Sequence, residues 1–282
     1  MYEAFFGLAE KPFSMTPDTR FFYPSAKHLD ALNHMIYAIE DRRGFVVITG
    51  EIGSGKTTLS RMLFQKFDPL TKTAVIRNTN LTAKELVTLT LEELEIPYRP
   101  GATKTHLIGR LNEFLIEQLS ENNNVVLLID EAQNLTPTVL EEVRMLSNLE
   151  TETEKLIQIV LMGQPELKAK LWLKHLTQLR QRLTLHYHLG LLDAVETAGY
   201  ITHRLHVAGA NGAAIFEPKA LAKVFTYTQG TPRLINGLCD RALLTGYVNE
   251  TKTIGPRVIE EVAGELPALI AEPRAEINGG AG

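Results

Sequence analysis

The residues best equipped for chemistry form one run, Gly50-Glu51-Ile52-Gly53-Ser54-Gly55-Lys56-Thr57, followed by Thr58. The pattern is G-x-x-x-x-G-K-T, set between the apolar segment Phe45–Thr49 and a helix-like stretch beginning Leu59-Ser60-Arg61. Glycines at these spacings let a backbone come close to phosphate oxygens and adopt positive φ. Successive N–H groups of such a turn, opening onto a helix N-terminus, form a concave site for anions. In this pattern Lys56 reaches the β- and γ-phosphates and the Thr57 hydroxyl ligates Mg²⁺. Chance produces the pattern in roughly one chain in a hundred of this length, and the flanking strand and helix lower those odds. A nucleoside triphosphate site is the expectation.

A second set of residues implies hydrolysis. Asn124-Val125-Val126-Leu127-Leu128-Ile129-Asp130-Glu131-Ala132-Gln133 is an almost unbroken apolar run that ends in two acids. Such a run reads as a strand buried on both faces of a parallel sheet, and ligands of open α/β sheets bind where strands end. Asp130 is placed to hold Mg²⁺, through a water, and Glu131 to polarise the water that attacks the γ-phosphorus. The plainer reading is a capping acid followed by a surface acid. Beside a phosphate-binding turn it loses most of its weight.

The elements that must position these groups alternate along the chain. Residues 1–27 are an arm rich in aromatics (Phe5, Phe6, Phe13, Phe21, Phe22, Tyr23) and broken by Pro12, Pro17 and Pro24. It wraps a domain edge, covers the adenine of the nucleotide, or simply docks on the hydrophobic core. A helix is expected over 27–42, then the strand and helix around the glycine run, with Leu59, Met62, Leu63 and Phe67 on one face. A strand follows at 73–77. Thr82-Ala83-Lys84-Glu85 opens a capped helix to about Glu95, and a further helix covers about 105–120. Thr136-Pro137 opens another after the Asp130 strand. The run 150–155 reads as a solvated loop. Strands are expected at 156–162 and 183–189, and beyond them only helices, near 193–207, 218–228, 233–248 and 256–262. The order implies a five-stranded parallel α/β core over 28–190, a small α-helical lid over 191–264 and a flexible tail over 265–282.

Composition agrees with a globular chain. Its 282 residues are 44% hydrophobic and 22% charged. The net charge of −4 supplies no general attraction to nucleic acid or anionic membrane. The single cysteine, Cys239, excludes an internal disulfide framework, suits a reducing compartment and reads as core. The N-terminus lacks the basic-then-apolar order of a secretory signal, and no apolar run approaches the ~18 residues of a membrane helix. A cytoplasmic chain that does not itself insert into membrane is expected. His186 with His188, and His203 with His206, lack a nearby carboxylate or thiolate set and read as ordinary histidines rather than metal ligands.

Taken together, these residues carry a family resemblance. The two nucleotide-site runs, a polar residue closing the fourth strand, an arginine before the fifth, and Gly-x-x-Arg in a helical lid resemble an AAA+ ATPase of the P-loop class. Phe6-Gly7-Leu8, Pro12-Phe13, Pro17-Asp18, Gly44-Phe45, Asp130-Glu131-Ala132-Gln133, Gly163-Gln164-Pro165-Glu166-Leu167 and Gly230-Thr231-Pro232-Arg233 narrow it. They resemble the ExeA/GspA group of general-secretion-pathway ATPases, over roughly residues 1–265. The resemblance implies ATP and Mg²⁺ as ligands, with Gln164 sensing the γ-phosphate and the attacking water. It also implies Arg182, or alternatively Arg180, as the arginine that a neighbouring subunit's γ-phosphate receives, and Arg233 as the lid residue that touches its own nucleotide. A homo-oligomer, ring or filament, follows, working with membrane-associated secretion or export components at the inner face of the inner membrane. ExeA-type proteins usually continue into a membrane helix and a periplasmic peptidoglycan-binding region, whereas this sequence stops at the Gly-rich tail, so that periplasmic activity is not carried over.

Two other functions share this core. One is a DNA-bound regulator of the transposition type, disfavoured because Arg42-Arg43 is only a pair and no dense basic run appears. The other is a slow nucleotide-dependent switch whose product is a conformation presented to a partner protein.

Overall fold

The computed structural model describes residues 1–210, 212 and 214–265. In chain order the elements are α1 (Tyr2–Phe6), α2 (Ala26–Glu40), β1 (Phe45–Gly50), α3 (Lys56–Lys66), β2 (Lys72–Ile76), α4 (Ala83–Glu93), α5 (Lys104–Ser120), β3 (Val125–Ile129), α6 (Pro137–Leu146), β4 (Gln158–Gly163), α7 (Pro165–Leu171), α8 (Thr177–Gln181), β5 (Leu185–Leu189), α9 (Ala194–Val207), α10 (Pro218–Thr228), α11 (Pro232–Val248) and α12 (Pro256–Glu265). They group into two compact units. One holds residues 26–52 and 59–190; the other holds 1–25, 53–58 and 191 onward.

The first unit is built on a five-stranded sheet in the order β2-β3-β4-β1-β5, every pair parallel. Strands β1, β3 and β4 are interior and buried at every residue. The edge strands β2 and β5 are only partly covered. This division explains why Val125–Ile129 is apolar throughout while Lys72–Ile76 opens with the polar pair Lys72 and Thr73. Helix starts follow their local chemistry. Thr82 and Glu85 exchange both capping-box hydrogen bonds, Thr82 N–H donating to Glu85 Oε2 at 2.7 Å. Thr136 caps α6 with Pro137 in its first turn. The run 150–155, expected as an open loop, is closed by an antiparallel bridge between Glu150 and Lys155 and by their ion pair. Phe67 falls beyond the end of α3, so its helical stripe is carried by fully buried Leu59 and Leu63.

The second unit packs α9 to α12 with the N-terminal arm. Tyr2, Leu8, Phe13 and Phe21 are buried in one cluster with Ile201, Leu205, Ile235, Leu238 and Cys239. Of the readings open to the arm, docking on a hydrophobic core is what Tyr2, Phe13 and Phe21 do here. Arg204 on α9 ties it down. Its guanidinium donates to the Pro12 carbonyl and, at 2.9 Å, to the Tyr200 hydroxyl, and it stands 4.8 Å from the Phe21 ring centre. Tyr200 in turn donates to Asn236 Oδ1 at 2.9 Å. An isolated parallel bridge joins Phe216 and Ile254, a pairing not expected after residue 190. The tail expected over 265–282 lies outside the described residues except for Glu265, which ends α12.

Because Arg204 is only 7% exposed, Arg204→Ala leaves buried acceptors without a donor. The variant is expected to lose about 2–4 kcal/mol of stability and to open the arm to trypsin at Arg20. An unchanged melting temperature with an uncut arm would contradict this.

Candidate active site

In the sheet unit the strand order gathers three strand ends at one edge. β1 ends at Gly50, β3 leads into Asp130 and β4 leads into Gln164, with β4 lying between β3 and β1. Asp130 is 8% exposed. Its N–H donates to Ile76 O, extending the ladder one residue past β3, and its Oδ1 accepts from Glu131 N–H at 2.9 Å. Glu131 sits at φ 52°, ψ 36°, the left-handed region rarely occupied by non-glycine residues. Strain of this kind gathers at functional sites.

The Glu131 carboxylate does not cap the short helical turn that follows it. Two side-chain amides hold it instead. Gln133 Nε2 donates to Glu131 Oε2 at 2.6 Å, and Gln164 Nε2 approaches the same oxygen at 3.4 Å. The two glutamines are themselves joined, Gln133 Oε1 accepting from Gln164 N–H at 3.0 Å. Lys170 Nζ fixes the loop behind them by donating to the Gln133 and Leu135 carbonyls. A Cβ at Gly163 would lie 2.8 Å from Gln133 Oε1 and 2.9 Å from Leu167 Cδ2, which explains the glycine of Gly-Gln-Pro-Glu-Leu. The sequence offers Gln133 only as the last residue of the Asp130-Glu131-Ala132-Gln133 run, two residues after the second acid, with no role attached.

In the second unit, Gly53 and Gly55 take φ of 76° and 103°, and α3 starts at Lys56. The turn therefore has the backbone shape that a phosphate nest requires. Lys56 is 7% exposed, an uncommon degree of burial for a lysine. Arg233 N–H donates to Gly53 O at 3.3 Å, and a Cβ at Gly53 would stand 2.6 Å from Arg233 Cβ. Only glycine fits there. Gly230 sets up this contact: at φ 73° its carbonyl accepts from Leu192 N–H, and an added Cβ would collide with Leu192 O. The Arg233 side chain is exposed. Mg²⁺ on a nucleotide keeps most of its waters and phosphate oxygens and needs only one or two protein oxygens. A hydroxyl and a carboxylate are the donor types that suit such an ion, and each unit carries one at its candidate residue, Thr57 in one and Asp130 in the other.

Arg182 lies elsewhere. It follows α8 and precedes β5, whose Leu185 pairs with Val46 and whose Leu189 pairs with Gly50. It therefore stands at the start-of-strand edge, one strand length, about 20 Å, from Gly50. There it lines a cavity of about 610 Å³ with Arg43, Arg144 and Lys155, and its guanidinium is 3.6 Å from Glu150. Arg180 is engaged differently, its guanidinium 5.6 Å from the Trp172 ring centre. The paired histidines of β5 also find a use. His186 Nε2 and His188 Nδ1 both lie 3.1 Å from the hydroxyl of fully buried Thr49, the residue before Gly50. Burial, then Lys168 and His188, lower the pKa of His186, so its ring is neutral at physiological pH.

This geometry defines a class. The chain has the AAA+ P-loop fold, and residues 39–171 match the AAA domain family. Over 269 residues it is 43% identical to general secretion pathway protein A of Aeromonas hydrophila, covering 95% of this chain and 49% of that protein. The resemblance to the general secretion pathway protein A group therefore holds, although the chain spans about half the length of that relative. Among solved structures, Cdc6p from Pyrobaculum aerophilum has a TM-score of 0.70 at 18% identity, covering 90% of this chain and 70% of that one. The ORC2 protein of Aeropyrum pernix gives 0.67 at 15%, covering 93% and 72%. The RuvB branch-migration motor of Thermotoga maritima gives 0.58 at 18%, covering 87% and 70%. These three share the fold alone. Among the described residues no helix is long and apolar enough to cross a membrane.

The Gln133 contacts predict that Gln133→Ala leaves ATP affinity within about twofold and lowers turnover roughly 10- to 100-fold. Equilibrium titration and steady-state phosphate release check it. Turnover within twofold of the parent would remove Gln133 from the site.

Proposed function

We propose that this chain hydrolyses ATP with Mg²⁺ in a homo-oligomer whose copies complete one another's sites, and that this cycle drives assembly or regulation of a bacterial secretion or surface-export machinery. The observation that carries the hydrolytic reading is the Glu131 carboxylate held by Gln133 and Gln164 at the strand-end edge, beside Asp130. A carboxylate that merely capped a helix would turn toward backbone N–H groups instead. The secretion context is supported by the name of the 43%-identical relative.

Each residue then has a role. The backbone from Gly50 through Gly55 and Thr58 cradles the phosphates, including the N–H groups of Glu51, Ile52 and Ser54. Lys56 neutralises the β- and γ-phosphate charge. Thr57 and Asp130 hold Mg²⁺, which when bound offsets charge on the phosphates. Glu131 orients and polarises the attacking water, and Gln164 registers that water and the γ-phosphate. Arg233 touches the nucleotide from the lid. Arg182 supplies a guanidinium to the neighbouring copy, where charge develops in the transition state. Its place one strand length from Gly50 supports action in trans, and its ion pair with Glu150 is half-exposed and weak enough to be exchanged.

Lys56→Ala is expected to lose tight ATP binding while the melting temperature moves by only a few degrees. Unchanged affinity would contradict the assignment. Glu131→Gln should bind ATP and fail to turn it over, since an amide keeps the shape without accepting a proton. Arg182→Ala should likewise bind but hydrolyse poorly. Mixing these two inactive proteins should restore activity, because random assembly pairs an intact Glu131 site with an intact Arg182 at about a quarter of interfaces. No recovery at any ratio, with a lowered melting temperature for Arg182→Ala, would make Arg182 a structural residue.

A further inference from the structure

The stretch from Leu167 to Leu192 contains Lys168, Lys170, Lys174, Arg180 and Arg182 and not one aspartate or glutamate. The whole chain has 29 basic and 33 acidic residues; outside this stretch 24 face 33, a balance of −9. The cations are too widely spaced to read as a basic run, yet the fold brings two of them, Lys168 and Arg180, to a single aromatic, Trp172. Trp172, Leu173, Lys174 and His175 are consecutive exposed residues at the end of α7, with Trp172 49% and Leu173 44% exposed. Two large apolar side chains left side by side in water, rimmed by charge, mark an interaction surface more than an ordinary one.

The patch is also held in place. Lys168 Nζ lies 5.9 Å and Arg180 Cζ 5.6 Å from the Trp172 ring centre, and the His186 ring is 6.1 Å away. Beneath it Leu171, Leu176 and Leu179 are buried in the core of the sheet unit. The segment from Trp172 to Arg182 is therefore anchored to the same core by Leu176 and Leu179, which carries Trp172 and Arg182 on one piece of the sheet unit.

We propose that this patch receives a second copy of this chain, with Trp172 and Leu173 as the apolar anchors of the interface that delivers Arg182. The proposal rests on the reading that Arg182 acts in trans. Charge complementarity names the occupant: the rest of the chain is acidic by nine charges, so a neighbour presents the sign that Lys168, Lys174 and Arg180 require. Tryptophan and arginine are also the residue types that most often dominate protein interfaces. A lipid surface fits less well, since two apolar residues on a short turn offer no amphipathic helix, and the acidic remainder would be repelled. A contact of this kind joins unlike faces, as a ring or filament needs.

Specific ATPase activity is measured against protein concentration at saturating Mg-ATP for the parent chain and for Trp172→Ala, Leu173→Glu, Lys174→Glu and Arg182→Ala. The parent should show a half-maximal concentration that rises with salt. The first three variants should move it up about tenfold or more, recover full activity at high concentration and melt as the parent does. Arg182→Ala should lower the plateau and leave the midpoint unmoved. A concentration-dependent parent whose midpoint neither Trp172→Ala nor Leu173→Glu shifts would overturn the anchor while sparing the trans arginine. A parent with no concentration dependence would overturn the trans arginine itself and the anchor with it. Binding to phosphatidylglycerol vesicles that Leu173→Glu abolishes, with an unmoved midpoint, would assign the patch to lipid and overturn the proposal.

Discussion

A parallel sheet has two chemically different ends, and in this protein each candidate residue of the sheet unit is committed to one of them. Because every strand runs the same way, Gly50, Asp130 and Gln164 all emerge at the carboxyl edge. Placing β4 between β3 and β1 sets the Gln164 amide beside the acids that follow β3. The same directionality strands Arg182 at the amino edge, next to Glu150 and Lys155. No side-chain rearrangement brings a residue at the start of β5 to the end of β1. Our proposal that copies complete one another follows from this constraint more than from any single contact.

At the carboxyl edge the backbone also leaves ordinary geometry, at Glu131, one of six non-glycine residues with positive φ among the described residues. Its side chain is held in a mesh by the Gln133 and Gln164 amides, and the Lys170 ammonium donates to the carbonyls behind. A water-polarising carboxylate must stay where it is while phosphate charge changes in front of it, and such a mesh provides that stiffness. In the other unit, glycine does the equivalent work. Gly53 and Gly230 have no room for a Cβ, and the fit of Gly53 to Arg233 and of Gly230 to Leu192 makes the turn and the start of α11 one packed piece.

Much of this was legible from residue types and spacing. The unbroken apolar runs at β1, β3 and β4 announced interior parallel strands, and Thr82 with Glu85 and Thr136 with Pro137 announced helix starts, because those signals are local. Boundaries moved by a residue or two where fraying and edge strands blur the pattern, as at β5, which begins at Leu185 rather than Leu183. What stayed hidden depends on long-range packing. Nothing near Gln133 in sequence shows that it will meet Gln164, thirty-one residues away. Likewise nothing local shows that His186 and His188 will share the hydroxyl of Thr49, or that Arg204 will hold Pro12. The patch at Trp172 shows no dense charge run in the sequence because Lys168 and Arg180 reach the ring from separate turns.

The most direct test of the account is a structure of the assembled chain with Mg-ADP and a metal fluoride that mimics the transferring phosphoryl group. The account predicts Arg182 of one copy within about 3 Å of the fluoride bound by its neighbour, detached from Glu150, with Glu131 and Gln164 facing the attacking position of that same site. A fluoride surrounded only by groups of its own chain, with Arg182 still paired to Glu150, would contradict it.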